Sequence, residues 1–213
     1  MTSAERLQQI RERIARAAKA SDRDPSEITL IAVSKTRSVA DIEELISAGQ
    51  RDFGESRVQE AADKWPGLRK AHPDIRLHMI GRLQSNKAAE AVALFDTIHS
   101  LDRPSLLGAL AATGQPTPCF VQVNIGAEAQ KGGVAISELG AFIEEVRQSS
   151  LRLKGLMALP PLGQQPGPYF ALLAKLARRH DVTGLSMGMS ADYETAVMLG
   201  ATHVRVGSAL FAD

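Results

Sequence analysis

The chain has 213 residues, 44% of them hydrophobic and 23% charged, which is ordinary for a folded protein and excludes a disordered or fibrous architecture. Its 25 lysine and arginine residues are balanced by 24 aspartate and glutamate residues, so the formal net charge is +1. Because no global field draws the chain to polyanions, neither nucleic acid nor an anionic membrane is an expected partner.

The sequence opens with an amphipathic pattern and continues as short apolar runs that alternate with helical periods. Leu7, Ile10, Ile14 and Ala18 recur at helical spacing, which predicts an opening helix over residues 3–20. Strands are then predicted over residues 28–34, 52–54, 75–80, 97–100, 119–125, 153–159, 185–187 and 203–206. Helices are predicted over residues 38–48, where Gly49 follows as the C-terminal cap, and over 58–70, 85–95, 104–112, 137–149, 169–179 and 193–199.

This alternation predicts an α/β fold. Eight strands alternating with helices in one short chain favour a closed (β/α)8 barrel over an open doubly wound sheet. We expect a monomer with one domain over residues 1–213, in which residues 1–20 form the opening helical segment. The proline- and glycine-rich loop over residues 160–168 is the one candidate break.

The sequence lacks the patterns of membrane insertion and secretion. Its first residues are charged and have no apolar signal-peptide core, and no later run is long and apolar enough to span a bilayer. The single cysteine, Cys119, excludes an intrachain disulfide and a thiolate metal site, and its apolar neighbours predict a buried strand residue. A cytoplasmic location is therefore expected.

The carboxyl ends of barrel strands carry the functional residues in this fold, and the first predicted strand ends in Lys35. Its amine would project from the rim over a partly apolar interior, and partial desolvation would lower its pKa. A neutral lysine amine can form an imine with an aldehyde. The alternative is a solvated lysine at a strand end, so other features have to decide between the two.

The loops after the last two predicted strands are typical of a phosphate site. They read Ser186-Met187-Gly188-Met189-Ser190 and Arg205-Val206-Gly207-Ser208. Glycines allow close backbone approach and serine hydroxyls donate hydrogen bonds, at the position where barrels usually hold phosphate. Ser190 would also cap the helix that begins near Ala191. An imine-forming lysine opposite a phosphate site indicates a small phosphorylated aldehyde, for which pyridoxal 5′-phosphate is the biological cofactor.

Arg205 refines this prediction. By strand parity it shares a face with His203 and Gly207, so it points into the same cavity. A guanidinium next to the pyridine nitrogen would donate a hydrogen bond and keep that nitrogen unprotonated, because arginine does not give up its proton. This weakens the ring as an electron sink and favours holding the cofactor over catalysis with it. An arginine paired with a carboxylate at the rim is the alternative.

Six segments in this order resemble the pyridoxal phosphate homeostasis proteins, which are similar to the barrel domain of alanine racemase standing alone. They are Ala32-Val33-Ser34-Lys35, Phe53-Gly54-Glu55-Ser56-Arg57-Val58-Gln59-Glu60, His78-Met79-Ile80-Gly81-Arg82-Leu83-Gln84-Ser85-Asn86-Lys87, Gly155-Leu156-Met157-Ala158, Leu185-Ser186-Met187-Gly188-Met189-Ser190 and Val204-Arg205-Val206-Gly207-Ser208.

The resemblance implies a barrel of the alanine racemase N-terminal type that buffers and delivers the cofactor to apo-enzymes, without a reaction of its own. Its implied cofactor-binding residues are Lys35 as the Schiff base, Ser56, Met187, Ser190, Arg205 facing the pyridine nitrogen, and Gly207 and Ser208 at the phosphate. The sequence departs from the family at Ser56, where asparagine is usual. It is also shorter between Ala158 and Leu185 and ends at Phe211-Ala212-Asp213 without the usual tail.

Several further polar residues have two interpretations. His78 ends an apolar strand and is either a ligand contact or a satisfied core histidine. Asn86 and Lys87 begin a helix, where a solvated face is the ordinary explanation, whereas the resemblance suggests a secondary contact for Lys131. The histidines have no metal-ligand spacing, so no metal site is predicted.

Three other functions compete with that of a carrier. An amino-acid racemase needs a second base, but the two tyrosines, Tyr169 and Tyr193, are predicted on helices outside the barrel mouth. A lysine-imine aldolase shares the fold and the phosphate site, but it usually places its lysine on a later strand. A pure interaction module would leave Lys35 incidental.

Overall fold

The computed structural model describes residues 1–128 and 130–211, and within them eight strands alternate with eight α-helices. The strands are β1 Thr29–Val33, β2 Asp52–Glu55, β3 Arg76–Met79, β4 Thr97–Leu101, β5 Pro118–Gln122, β6 Arg152–Met157, β7 Gly184–Ser186 and β8 His203–Val206. The helices are α1 Ser3–Lys19, α2 Val39–Ser47, α3 Val58–Ala71, α4 Ala88–Leu94, α5 Pro104–Ala111, α6 Leu139–Gln148, α7 Gly167–Arg179 and α8 Tyr193–Met198.

The strands form a closed parallel barrel, which confirms the predicted fold. Each strand pairs with the next in chain order, and β1 pairs with β8 through Thr29 to Ala32 against His203 to Val206. Closure leaves no unpaired sheet edge, and all eight carboxyl ends meet on one face. The residues that follow these ends are therefore gathered around a single mouth.

The main hydrophobic core lies between the barrel and its helices. Phe53 of β2 packs against Trp65 of α3 with a ring-centroid distance of 5.1 Å, and both side chains are fully buried. Cys119 is also fully buried, as predicted, and burial raises the pKa of its thiol to about 12. The opening helix α1 starts with a capping box from Thr2 and Glu5 and packs against α2 and α8.

The interior of the barrel is unusually polar. Most barrels of this class fill this space with layers of branched apolar side chains. Here the buried polar residues of the strands include Asp52, His78, His99, Ser186 and Arg205. His99 of β4 bonds to Ser186 of β7, and because these strands are not neighbours the bond crosses the interior.

Several helix and strand ends differ from the prediction, and three of the differences are close to the mouth or to a predicted site. Strand β1 ends at Val33, before Ser34 and Lys35, and β5 ends at Gln122 although the apolar pattern runs on to Ile125. The helix predicted over residues 85–95 begins as a 3₁₀ turn, Ser85–Lys87, before α4, and no side chain caps either start. Within the described ranges no helix is both long enough and apolar enough to cross a membrane.

A close backbone contact between β6 and β7 yields a test of the barrel. Gly155 pairs with Gly184, and a Cβ on Gly155 would lie 2.0 Å from the Gly184 carbonyl oxygen. We expect Gly155→Ala to lower the free energy of unfolding by about 1 to 3 kcal/mol in denaturant titration, because backbone has to move. Gly108→Ala in α5, where nothing lies within 4 Å of the added Cβ, should instead stabilise by about 0.5 to 1 kcal/mol. Equal changes in the free energy of unfolding for the two variants would contradict the close contact between β6 and β7.

Candidate functional site

Lys35 lies at the mouth of the barrel, in the turn that follows β1. Its side chain is exposed, two residues beyond the end of the strand. The expectation of a partly desolvated amine at the strand end is therefore wrong for this structure, because the ladder stops after Ser34, whose N–H bonds to the Gly54 carbonyl at 3.0 Å, and the chain then turns outward. The lysine is reachable by a ligand from solvent.

The turn that carries Lys35 is held in a strained conformation. Thr36 has φ of +62°, in the left-handed region that a β-branched residue rarely adopts. Its N–H donates to the Glu60 carboxylate at 2.5 Å, and the N–H of Arg37 donates to the Ser34 carbonyl at 3.1 Å. Strain of this kind persists only where surrounding contacts impose it, and it concentrates at functional sites.

Ser34, immediately before the lysine, is fixed by hydrogen bonds at both its hydroxyl and its carbonyl group. Its hydroxyl donates to Glu55 Oε1 at 2.8 Å, and its carbonyl accepts from Lys64 Nζ at 3.0 Å. Lys64 and Glu55 form an ion pair at 2.8 Å, and Trp65 Nε1 donates to the same carboxylate at 3.1 Å. Glu55 is fully buried, so α3 fixes the backbone from which Lys35 projects. We call these residues, Ser34, Glu55, Lys64 and Trp65, the Ser34 clamp.

The structure brings the predicted phosphate loops together. The N–H of Gly207 donates to the Ser190 hydroxyl at 3.2 Å, and the N–H of Arg205 donates to the Gly188 carbonyl at 2.9 Å. Gly188 has φ of +93°, and a Cβ there would lie 2.5 Å from Ala196 Cβ, so the loop requires glycine. Ser208 is exposed beside this pair.

The cap predicted for Ser190 is not formed, and the side chain of Met187 faces the core. Ser190 does not cap the following helix, because α8 starts later, at Tyr193, and Asp192 is its N-cap. The Ser190 hydroxyl is used across the mouth, on Gly207, instead. Met187 is fully buried in the hydrophobic core, because strand alternation turns it away from the interior face of Ser186. Its side chain supports the loop from behind.

Arg205 is buried inside the barrel, on the face that strand parity predicted. It is 4% exposed and donates to the Ser186 hydroxyl at 2.5 Å and to the Ala158 carbonyl at 3.2 Å. Burial lowers the pKa of its guanidinium to about 10, so it stays charged at neutral pH. The alternative of an arginine paired with a carboxylate at the rim does not fit these contacts.

Behind Arg205 a chain of hydrogen bonds crosses the barrel. His99 Nδ1 lies 2.8 Å from the Ser186 hydroxyl, and His99 Nε2 lies 3.0 Å from His78 Nδ1. His78 Nε2 lies 3.1 Å from Asp52 Oδ1. The Asp52 carboxylate also binds Arg76 at 2.6 Å. His78 is thus a satisfied core histidine, the second of its two predicted interpretations.

Burial determines the ionisation of the polar groups inside the barrel. The pKa of His99 is lowered well below its ordinary value, first by burial and then by the electrostatic effect of His78, His203 and Arg205. Burial likewise lowers the pKa of His203 to about 3. For Asp52, burial opposes ionisation, but hydrogen bonds from His78 and Arg76 keep its pKa below the ordinary value. His99 and His203 are therefore neutral and Asp52 is charged.

Ser56 lies apart from the phosphate loops, in a cavity of about 650 Å³ at the ends of β2 and β3. The loops that follow these strands touch, since a Cβ on Gly81 would lie 2.2 Å from the Ser56 carbonyl. No carboxylate is among the residues lining the cavity, whereas four cations are, namely Arg57, Arg82, Lys87 and Arg103. Three of these cations are paired with carboxylates outside the lining, Lys87 with Glu90 and both Arg82 and Arg103 with Asp102, so their charges are largely balanced.

The remaining candidate residues are engaged in surface ion pairs. Lys87 Nζ binds the Glu90 carboxylate at 2.8 Å, and Lys131 Nζ binds Glu128 at 2.6 Å. Ala129, in the same loop, lies outside the described residues, as do Ala212 and Asp213 at the end of the chain. Among the described residues no cluster of histidine, cysteine and carboxylate groups could hold a metal ion.

The Ser34 clamp predicts that a substitution in α3 strongly lowers the stability of the protein. We expect Lys64→Met to lower the free energy of unfolding by about 3 to 5 kcal/mol, because it leaves the buried Glu55 charge without its counter-ion. Denaturant titration measures this change. Lys70→Met, at an exposed position of the same helix, should stay within about 0.5 kcal/mol of the parent.

A second substitution separates charge from packing. Adding Glu55→Gln to Lys64→Met removes the uncompensated charge, so the double variant should be more stable than Lys64→Met alone. An additive loss would contradict the clamp.

Comparison with known proteins agrees with this geometry. The family described as alanine racemase, N-terminal domain, matches residues 6–213. The alanine racemase from Acinetobacter baumannii superposes with a TM-score of 0.73 at 15% identity, over 99% of this chain and 62% of that chain. At that identity the likeness shows the fold alone.

Two other proteins are much more similar. The pyridoxal phosphate homeostasis protein of Pseudomonas aeruginosa is 40% identical over 220 residues, which cover 99% of this chain and 95% of that protein. PipY of Synechococcus elongatus, in a structure with pyridoxal phosphate bound, matches with a TM-score of 0.84 at 37% identity, over 99% of this chain and 100% of that chain. With the family match and this identity over nearly its whole length, the chain belongs to the pyridoxal phosphate homeostasis proteins, within the alanine racemase N-terminal domain family.

Proposed function

We propose that this protein binds pyridoxal 5′-phosphate as a Schiff base on Lys35 and serves in the cytoplasmic storage and delivery of that cofactor. The observation that carries the proposal is the buried, charged Arg205 below a mouth that also holds an accessible lysine and two joined glycine and serine loops. The cofactor-bound PipY structure supports the choice of ligand. We further propose a monomeric, one-domain protein.

The donor groups at the mouth suit the chemistry of this cofactor. Lys35 supplies an amine that can condense with the aldehyde carbon, with loss of one water molecule. Ser190, Gly207 and Ser208 supply hydroxyl and backbone N–H groups for a phosphate. A Cβ on Gly207 would make only ordinary contact, 3.4 Å from Val33 Cβ, so packing does not require glycine there, and we assign this glycine to close approach of the phosphate. Ser56 and Met187 complete the proposed binding set, Met187 through its backbone because its side chain is buried in the core.

Arg205 favours retention over catalysis. The ring of pyridoxal phosphate would supply an electron sink if its nitrogen were protonated. A charged guanidinium donates a hydrogen bond to that nitrogen without giving up a proton. The relative from Pseudomonas aeruginosa is named a pyridoxal phosphate homeostasis protein. Apo-enzymes that require the cofactor are the proposed recipients.

Neither tyrosine is placed to serve as the second base of a racemase. Tyr193 is 2% exposed and packs below Arg13 of α1, with 5.7 Å between the guanidinium carbon and the ring centroid. It therefore lies on the outside of the barrel. Tyr169 is on α7 and packs against the outer core. Neither tyrosine supports proton transfer at Lys35.

Replacement of Lys35 tests the proposed attachment. We expect Lys35→Ala to lose the visible absorption band of the bound cofactor while its free energy of unfolding stays within about 0.5 kcal/mol, because the side chain is exposed. Lys131→Ala, which removes another lysine near the mouth, should keep the band. A band of parental strength in Lys35→Ala, with a borohydride-stable label on another lysine, would show that the attachment lies elsewhere.

A second test separates carrier from enzyme. We expect amino acids mixed with the loaded protein to exchange their α-protons with deuterated water no faster than with free cofactor, as NMR would record. The loaded protein should also activate an apo-enzyme that needs the cofactor. Exchange at ordinary enzymatic rates, roughly 1 to 10³ per second, would restore the racemase-type function.

A further inference from the structure

The two ends of the interior hydrogen-bond chain determine the role of every group between them. Ionised Asp52 can only accept hydrogen bonds, and the guanidinium of Arg205 can only donate them. Ser186, His99 and His78 lie between these ends, and each can both donate and accept. Burial keeps His99 neutral, and we assign a single proton to His78 as well, so each ring has one N–H and one lone pair to contribute.

These limits leave one arrangement of protons. His78 has to donate Nε2–H to Asp52, so its Nδ1 is an acceptor for Nε2–H of His99. The Nδ1 of His99 is then an acceptor as well, and it takes the hydroxyl proton of Ser186. The oxygen of Ser186 is left to accept from Arg205. Every bond donates in the same direction, from Arg205 toward Asp52.

We propose that His78 and His99 form a one-directional hydrogen-bond relay that positions the Arg205 guanidinium at the mouth and sets its orientation toward a bound ring nitrogen. This inference rests on the proposed function for its ligand, but not for the relay itself. The described contacts use two of the five N–H groups of Arg205, one on Ser186 and one on the Ala158 carbonyl. Held at these two points, the planar guanidinium has a defined orientation.

Polarisation gives the relay a role beyond holding a side chain. Hydrogen bonds that share one direction strengthen one another in a medium of low dielectric. The negative charge of Asp52, at the far end, therefore increases the affinity of the Ser186 oxygen for the guanidinium. His99 is kept in line by Phe120, which stacks on it at 4.5 Å with an interplanar angle of 15°.

Two serines of the barrel form a matched pair for testing the relay. Ser186 and Ser100 are both fully buried strand residues, and the Ser100 hydroxyl has no hydrogen-bond partner among the described residues. Ser186→Ala and Ser100→Ala thus remove the same atom, inside and outside the relay. Gln at position 99 can still accept from Ser186 and donate to His78, whereas Leu can do neither.

The first experiment needs no cofactor. Histidine labelled with ¹⁵N should show a scalar coupling across the hydrogen bond between His99 Nε2 and His78 Nδ1, and both rings should carry their proton on Nε2. The coupling should disappear in His99→Leu. A proton on Nδ1 of His78, or no coupling in the folded parent, would overturn the relay.

The second experiment measures pyridoxal phosphate binding by titration, with the absorption maximum of the bound cofactor as a readout that packing alone would not move. We expect Ser186→Ala to raise the dissociation constant about tenfold and to shift the maximum, as loss of one hydrogen bond to a charged group implies. Ser100→Ala should change neither. His99→Gln should remain close to the parent, whereas His99→Leu should resemble Ser186→Ala.

The two experiments separate the possible failures. If the parent binds cofactor on Lys35 and Ser186→Ala has the same absorption maximum and dissociation constant, the relay is overturned and the proposed function stands. A parent that forms no lysine-bound chromophore would overturn the proposed function, and the ¹⁵N coupling would then decide the relay alone. Equal shifts in Ser186→Ala and Ser100→Ala would reduce the effect to packing and contradict the inference.

Discussion

A charged guanidinium inside a barrel requires hydrogen-bond partners, and the polar interior of this protein follows from that requirement. An unpaired buried charge costs several kcal/mol, so Arg205 is compatible with the fold only because Ser186 and the Ala158 carbonyl accept its protons. Ser186 in turn needs His99, which needs His78 and finally Asp52. This chain of hydrogen bonds takes the place of the layers of branched residues that usually fill such a barrel.

The lysine and the arginine are supported in different ways, and the difference suits a protein that holds and releases a ligand. Arg205 is buried and joined to fixed groups within the barrel. Lys35 has an exposed side chain on a strained turn whose backbone is held from outside by Glu55 and Lys64. A mobile side chain on a fixed backbone can form and lose a covalent bond to a small aldehyde without rearrangement of the core.

The fold could be predicted because its signals are local. Apolar runs and helical periods give the alternation of strands and helices, and strand parity places Arg205 on the interior face with His203. The site was predicted less completely. The Ser190 hydroxyl bonds to Gly207 and does not cap α8, and the Met187 side chain lies in the core outside the barrel. Both outcomes depend on contacts between segments that are distant in the sequence.

The Ser34 clamp and the relay were missed for a different reason. Glu55 is 21 residues from Ser34, and His99 is 87 residues from Ser186, so no local pattern relates them. Two signals were nevertheless present: polar residues within predicted strands at positions 52, 78 and 99, and a glutamate directly after the strand predicted over residues 52–54. A polar residue on an interior face has to find a partner across the barrel, although only closure of the barrel identifies that partner.

The central claim is that Arg205, charged and held by its partners, keeps the ring nitrogen of the cofactor unprotonated. The ¹⁵N chemical shift of ring-labelled pyridoxal phosphate in the loaded protein measures this state directly. We expect the shift of a neutral, hydrogen-bonded pyridine nitrogen at neutral pH, and a move toward the free neutral ring in Arg205→Gln. The shift of a protonated pyridinium in the parent protein would contradict the account.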